Sequence, residues 1–305
     1  MEGCSVYSYK VPYEYNFKQS EYNMEAATSN DRAKPFADDI CVADTGNTDI
    51  GPALNGIEAA GIFDIDNCEA VYVKNIHNKL YPASITKIMT ALIALKYGNP
   101  DDIITVSSNV EIVESGATLL GLKEGDRLTL EQALNGLLIY SGNDAGVAIA
   151  EYISGNVEAF TALMNKEALA LGATNTNFIN PHGLSDDSHY SSAYDLYLIF
   201  NEAVKYDKFR EIIGKREYST TYSDRDGKSK EMTITNTNLY LTGEKTGPDK
   251  VTVVGGKTGT TNQAGSCLIL LSEDQNSHPY ISVILNAQDK ELLYRGMSQL
   301  LDQVP

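Results

Sequence analysis

The chain is organised around Pro82-Ala83-Ser84-Ile85-Thr86-Lys87, which is followed at once by the apolar run Ile88-Met89-Thr90-Ala91-Leu92-Ile93-Ala94-Leu95. The pattern predicts a helix that begins after Pro82 and is buried nearly all round. Side chains three residues apart share a helix face, so the Ser84 hydroxyl and the Lys87 amine can meet. A serine is a useful nucleophile only when an adjacent base takes its proton, and a lysine in apolar surroundings can be that base. A capping serine and a solvated lysine would produce the same spacing.

Composition excludes several classes of function. The 305 residues carry 24 Lys and Arg against 41 Asp and Glu, a net charge of −17. Such a chain lacks the basic face that binds nucleic acid, and direct adhesion to an anionic membrane surface is disfavoured for the same reason. No apolar run reaches the length of a transmembrane helix. The four cysteines lie far apart and the four histidines form no H-x-x-x-H pair, so we expect neither a metal site nor a metal cofactor.

The chain divides into two unequal parts. Residues 1–52 are tyrosine-rich and then acidic, with no sustained periodicity, which predicts a flexible N-terminal arm or tether. Cys4 in this arm is either an ordinary cysteine or the acylated cysteine of a lipoprotein anchor. Such an N-terminal anchor is the only attachment to a membrane that we expect. Residues 53–305 are predicted to form the folded domain. Strand-like runs at both of its ends, with helical patterns at about 88–205 between them, predict one mostly antiparallel sheet with a helical insertion.

Three short motifs follow one another in the folded part: Ser84-x-x-Lys87, Ser141-Gly142-Asn143 and Lys257-Thr258-Gly259. Two of them have a second copy. Ser154-Gly155-Asn156 falls at a predicted helix end, where glycine and asparagine are ordinary capping residues. Lys245-Thr246-Gly247 is followed by Pro248-Asp249, which is typical of a turn. The first copies instead lie at a junction of two buried helices and beside a predicted strand.

Serine-x-x-lysine, serine-x-asparagine and lysine-threonine-glycine in this order resemble the signature of penicillin-binding proteins and class A β-lactamases. Within that superfamily the chain resembles the low-molecular-weight serine D-alanyl-D-alanine carboxypeptidases (peptidase family S11). Residues 138–145, 178–184 and 257–265 match that family as well, and the resemblance covers roughly residue 57 to the C-terminus. It implies an α/β (α+β) fold of the β-lactamase/transpeptidase type. We therefore expect a mostly antiparallel five-stranded sheet flanked by helices, an inserted all-helical subdomain, and no C-terminal β-rich second domain.

The resemblance also implies catalysis through an acyl-enzyme, without a cofactor. Ser84 would attack the carbonyl of the penultimate D-alanine, with Lys87 as the general base. Ser141 would pass a proton to the leaving amine, and Asn143 would hold Lys87 and the substrate amide in place.

Substrate binding is implied for the third motif. Lys257 and Thr258 would bind the terminal carboxylate, and Gly259 would let the substrate backbone pair with the strand. The backbone N–H groups of Ser84 and Thr260 would form the oxyanion hole. The substrate would be a peptidoglycan stem peptide ending in D-Ala-D-Ala, met at the extracellular face of the bacterial membrane or in the wall. β-Lactams would acylate Ser84 as covalent inhibitors.

Three alternatives remain open at this point. A class A β-lactamase needs a glutamate in a loop after the serine-x-asparagine motif; Glu131 precedes Ser141, and residues 180–184 contain no glutamate. His182 in that later loop is interpreted as structural. A non-catalytic penicillin sensor would keep the serine and lysine but trap the acyl group, and turnover of a peptide would distinguish it from an enzyme. A transpeptidase would pass the acyl group to an amine.

Overall fold

Apolar, β-branched runs at both ends of the folded part form the strands of a central sheet, as alternation and turn signals predict. The structure, a computed structural model, describes residues 39–43, 51–114 and 116–305. These residues belong to one unit, 39–305. In chain order, the strands of this part are Ile57–Asp64 (β1), Glu69–Lys74 (β2), Ile103–Thr105 (β3), Arg127–Thr129 (β4), Glu217–Ser223 (β5), Ser229–Thr235 (β6), Val251–Thr261 (β7), Gly265–Asp274 (β8) and Pro279–Ala287 (β9).

Eight α-helices lie between and after these strands in the described part of the chain. In chain order, they are Lys87–Tyr97 (α1), Leu130–Asn135 (α2), Asn143–Ser154 (α3), Val157–Ala170 (α4), Ala193–Ala203 (α5), Asp207–Ile213 (α6), Leu239–Thr242 (α7) and Lys290–Leu301 (α8). A 3₁₀ turn, Ala83–Thr86, precedes α1, and a π turn, Gly136–Tyr140, follows α2. Within the described ranges, no helix combines the length and the apolarity needed to cross a bilayer.

The main sheet has five strands in the order β2-β1-β9-β8-β7, and each neighbouring pair is antiparallel. Its three central strands, β1, β9 and β8, are buried on both faces. On β9, Ile281, Val283 and Leu285 face the core beneath the helices of the insertion, whereas Tyr280 and Ile284 face the core beneath α8. Because alternate residues enter two different cores, these strands read as continuous apolar runs. The predicted fold class, an α+β fold with a mostly antiparallel five-stranded sheet, is confirmed.

The predicted helical insertion, about residues 88–205, differs from the prediction in one respect. It carries α1 to α5, but it also contains β3 and β4, which join β5 and β6 in a second, four-stranded antiparallel sheet of order β3-β4-β5-β6. The insertion is therefore not all-helical. β3 and β4 have three residues each, too few to show a period of two.

Part of the predicted arm packs against the domain. Cys41 is fully buried, its N–H donates to the Tyr197 hydroxyl over 2.8 Å, and its carbonyl oxygen accepts from the Tyr194 hydroxyl over 2.8 Å. The pKa of the Cys41 thiol is raised to about 11, mainly by burial. The predicted arm otherwise lies outside the described residues, apart from the short stretch 51–52, and so does Cys4 with its suggested anchor.

Candidate active site

Ser84 lies in a tight turn that two neighbouring segments clamp. Ala83 has φ of +47°, in the left-handed region that residues with a Cβ atom rarely adopt. Gly183 packs directly against this turn, because a Cβ atom there would lie 1.8 Å from the Ala83 carbonyl oxygen. Gly259 of β7 also packs against it, because a Cβ atom there would lie 2.9 Å from the Ser84 nitrogen. The surrounding structure thus fixes a strained conformation next to the predicted nucleophile.

Lys87 is the first residue of α1 and is fully buried. Its amine lies 2.9 Å from Ser84 Oγ, 2.7 Å from Asn143 Oδ1 and 2.6 Å from the carbonyl oxygen of His182. Burial, and then the nearby charge of Lys257, hold the pKa of this amine well below its usual value. Burial disfavours the ammonium form, which a neighbouring cation disfavours further. The amine is therefore suited to accept a proton from Ser84.

The second motif follows an irregular bend. The π turn Gly136–Tyr140 ends at Ser141, whose φ of +73° redirects the chain into α3. This bend brings Asn143 to the first residue of α3, where its amide oxygen reaches Lys87. Within the described part of the chain, the Ser141 hydroxyl has no hydrogen-bond partner, although only 6% of the residue is exposed. A hydroxyl in this position can still bond to a substrate.

The third motif lies on β7, at an edge of the main sheet. Lys257 is 1% exposed, and its amine donates to the carbonyl oxygen of Thr258 over 3.0 Å. Burial lowers the pKa of Lys257 to about 7. The Thr258 hydroxyl lies 2.6 Å from the hydroxyl of Thr237, which comes from the segment after β6. The two threonines therefore form a joint polar surface beside a buried cation.

These elements enclose one cleft of about 230 Å³. Its lining includes the predicted residues Ser84, Ser141, Thr258, Gly259 and Thr260. Lys87 joins it through its hydrogen bond to Ser84, and Asn143 through the hydrogen bond that it accepts from Lys87. Lys257 does not belong to the cleft lining, because its side chain is buried at β7.

Sequence reasoning missed the six other residues of the cleft lining, which are Thr118, Thr237, Cys267, Lys290, Leu293 and Tyr294. It also missed the role of Asp144, which is 1% exposed. The Asp144 carboxylate accepts N–H groups of Leu120, Gly121 and Leu122 over 2.8 to 3.1 Å. This anchors the loop that carries Thr118. An aspartate in the first turn of a predicted helix was the available signal, since such residues commonly bind free N–H groups.

Two competing sequence features form ion pairs outside the cleft lining, and His182 contributes its backbone to the site. Lys245 of the second lysine-threonine-glycine forms an exposed ion pair with Glu291 over 2.7 Å. Glu131 pairs with Lys208 over 3.0 Å. His182 meets Lys87 through its carbonyl oxygen, and its Nδ1 accepts the Leu184 N–H over 3.3 Å. Among the described residues, no group of three or more His, Cys, Asp or Glu side chains is arranged to hold a metal ion.

Comparison with known proteins finds D-alanyl-D-alanine carboxypeptidases among the relatives of this chain. The D-alanyl-D-alanine carboxypeptidase DacF of Bacillus subtilis is 36% identical over 251 residues, which are 80% of this chain and 61% of DacF. The carboxypeptidase DacB2 of Mycobacterium tuberculosis is 33% identical over 70% of this chain and 68% of its own length. The chain thus spans about three fifths of DacF and about two thirds of DacB2.

Solved structures share the fold. The DD-transpeptidase of Streptomyces K15 superposes with a TM-score of 0.76 at 25% identity, covering 83% of this chain and 98% of the other. Penicillin-binding protein 5 of Haemophilus influenzae gives a TM-score of 0.73 at 28% identity, over 83% and 72% of the two chains. The profile of the peptidase S11 family, described as D-alanyl-D-alanine carboxypeptidase, matches residues 55–289. The chain belongs to this family, as its three motifs predicted.

Proposed function

We propose that this protein is a serine D-alanyl-D-alanine carboxypeptidase that removes the terminal D-alanine from peptidoglycan stem peptides. The observation that carries the proposal is the buried Lys87 amine 2.9 Å from Ser84 Oγ, in a cleft that an edge strand borders. Family membership supports the same activity. The relatives' names supply the substrate class, D-Ala-D-Ala peptides.

The contacts of Lys87 fit a neutral amine acting as general base. Such an amine has two N–H groups and one lone pair. The N–H groups can donate to Asn143 Oδ1 and the His182 carbonyl oxygen, at 2.7 and 2.6 Å. The lone pair then points to the Ser84 hydroxyl. Lys87 would take the proton as Ser84 Oγ bonds to the carbonyl carbon of the penultimate D-alanine.

The next steps use the remaining groups of the cleft. The C–N bond to the terminal D-alanine breaks, and the proton held by Lys87 reaches the leaving amine through Ser141. Water then hydrolyses the ester on Ser84, which releases the shortened peptide and restores the hydroxyl. The passage of Gly259 beside the Ser84 nitrogen supports an oxyanion hole formed by the backbone N–H groups of Ser84 and Thr260.

The terminal carboxylate would bind where Lys257, Thr258 and Thr237 meet. A protonated Lys257 supplies positive potential from within the strand, and hydroxyl groups can donate directly to the carboxylate. β-Lactams would acylate Ser84 in the same cleft. We place the protein at the bacterial cell envelope, outside the cytoplasmic membrane, because its substrate is peptidoglycan.

Release of D-alanine from Nα,Nε-diacetyl-L-lysyl-D-alanyl-D-alanine tests this proposal, with penicillin adducts measured by intact mass. We expect turnover and one adduct for the parent, and neither for Ser84→Ala. Ser154→Ala is a matched control, since Ser154 belongs to the second copy of the serine-glycine-asparagine motif, and it should behave as the parent. An adduct on Ser84→Ala would refute the assignment of the nucleophile. An adduct on the parent without D-alanine release would indicate a sensor.

Transfer of the acyl group to an amine is a second candidate, because a DD-transpeptidase superposes over 98% of its own chain. Adding an amine acceptor such as a D-amino acid to the same assay separates the two activities. A carboxypeptidase gives mainly the hydrolysed peptide, whereas a transpeptidase gives mainly the exchanged product.

A further inference from the structure

A polar groove continues the active-site cleft. Its volume is about 760 Å³, and Thr118 and Thr260 line both the groove and the cleft. Along β7, the motif residues Lys257 and Thr258 come before Gly259 and Thr260, and the groove continues along the following residues to Gln263. A peptide with its terminal carboxylate at Lys257 therefore extends its preceding residues toward Thr260 and into the groove.

The groove leads to an acidic pocket. Glu114 lines the groove and also a second cavity of about 430 Å³. Besides Glu114, that cavity is lined by Glu111, Glu151, Glu158 and His182, and these five residues define the acid pocket. Neither cavity has a lysine or arginine in its lining. A cationic group entering from the cleft would thus meet carboxylates and no competing cation.

Three of these carboxylates are available to a ligand. Glu151 is already engaged, since it accepts from Ser107 Oγ and Asn109 Nδ2, both at 2.6 Å. The side chains of Glu111, Glu114 and Glu158 form no ion pair or hydrogen bond with any residue in the described ranges.

The loop that carries Glu111 and Glu114 is held at both ends. The bonds to Glu151 hold the residues before it, and the bonds to Asp144 hold those after it. Thr118 is fixed as well, because its carbonyl oxygen accepts the Asn143 N–H over 2.8 Å.

His182 adds a buried polar group to this pocket. Its residue is 9% exposed, and because Nδ1 accepts the Leu184 N–H, the proton of the neutral ring lies on Nε2. Burial, and then the charge of Lys87, lower the pKa of His182 to about 3, so the ring is neutral at pH 7. Within the described part of the chain, Nε2 has no hydrogen-bond partner. His182 thus lines the pocket with a ring N–H that lacks an acceptor.

We propose that the acid pocket binds the side chain of the residue that precedes D-alanyl-D-alanine, and that this side chain ends in an ammonium group beside a hydrogen-bond acceptor. Diaminopimelate has this chemistry, with an ammonium and a carboxylate on one carbon. Glu114 and Glu111 accept from the ammonium, and His182 Nε2 donates to the carboxylate. The inference rests on the proposed function, because it assumes that the peptide is cleaved at Ser84.

Three peptides test it, each with an acetylated α-amine and D-alanyl-D-alanine at its end. Their first residues are meso-diaminopimelate, lysine and Nε-acetyl-lysine. For the parent we expect kcat/KM to fall in that order, with the free lysine about threefold or more above its acetylated form, as for an ion pair that solvent partly reaches. Glu114→Gln should bring that lysine ratio close to one. The matched control is Glu124→Gln, an exposed glutamate that lines neither cavity, and it should keep the parent's ratio.

The outcomes separate this inference from the proposed function. Equal kcat/KM for free and acetylated lysine in the parent, or an unchanged ratio in Glu114→Gln, would overturn the role of the acid pocket while the carboxypeptidase activity stands. Equal values for the lysine and diaminopimelate peptides would overturn the role of His182. If none of the three peptides releases D-alanine, the proposed function itself is overturned, and the inference with it.

Discussion

Replacing Lys257 with methionine should stabilise the folded protein and remove its activity. Burial lowers the pKa of Lys257 from the ordinary 10.5 to about 7. Since one pKa unit corresponds to about 1.4 kcal/mol, keeping this lysine in the folded state costs about 4 kcal/mol at pH 7. Methionine has a similar length and no charge, but it loses the bond to the Thr258 carbonyl, worth about 1 kcal/mol. We expect a net gain of roughly 3 kcal/mol at pH 7 for Lys257→Met.

The pH dependence of this gain is the decisive observation. The folded pKa lies below the unfolded value, so the cost is largest below pH 7, shrinks as the pH rises toward 10.5, and vanishes above it. Urea unfolding at pH 7 and at pH 9.5 therefore measures a gain that is smaller at the higher pH. Lys228→Met, at an exposed lysine, should change the free energy of unfolding little at either pH. No gain at pH 7, or the same gain at both pH values, would refute the reasoning.

Three other predictions concern activity. Only the protonated Lys257 attracts a carboxylate, so kcat/KM for a D-Ala-D-Ala peptide should fall as the pH rises through about 7. The same fall in kcat/KM for a peptide whose C-terminal carboxylate is amidated would contradict this role of Lys257. Gly259→Ala should slow penicillin acylation about 100-fold, because its Cβ atom would displace Ser84, while Gly247→Ala, where a Cβ atom makes only ordinary contacts, should acylate normally. Asp144→Ala should lower the free energy of unfolding by about 2 kcal/mol and reduce peptide kcat/KM, since three N–H groups of the Thr118 loop, one of them buried, lose their acceptor; an unchanged Tm would argue against the anchoring role.

The features that could be predicted from the sequence are those encoded locally. The helix of Lys87 and the strands β7 to β9 follow from apolar and β-branched runs bounded by turn residues, and the spacing of Ser84 and Lys87 places both groups on one face. Thr237 could not be found this way, because it meets Thr258 only through the path of the chain after β6. The loop of Glu114 has no periodicity, so its place between the cleft and the acid pocket emerges only in three dimensions. The burial of Cys41 likewise depends on Tyr194 and Tyr197, more than 150 residues along the chain.

The strand order of the main sheet has a consequence for how the molecule folds. β9 lies between β1 and β8, and it pairs Ile57 with Ala287 and Asp64 with Tyr280. β1 therefore cannot acquire this neighbour until β9 has been synthesised, and Ala287 comes 230 residues after Ile57. Closing so long a loop is entropically slow, and contacts of such large sequence separation are typical of slow folders. We expect the nascent chain to lack its central sheet until β9 has been synthesised, and truncations that remove β9 to leave β1 with one unpaired, aggregation-prone edge.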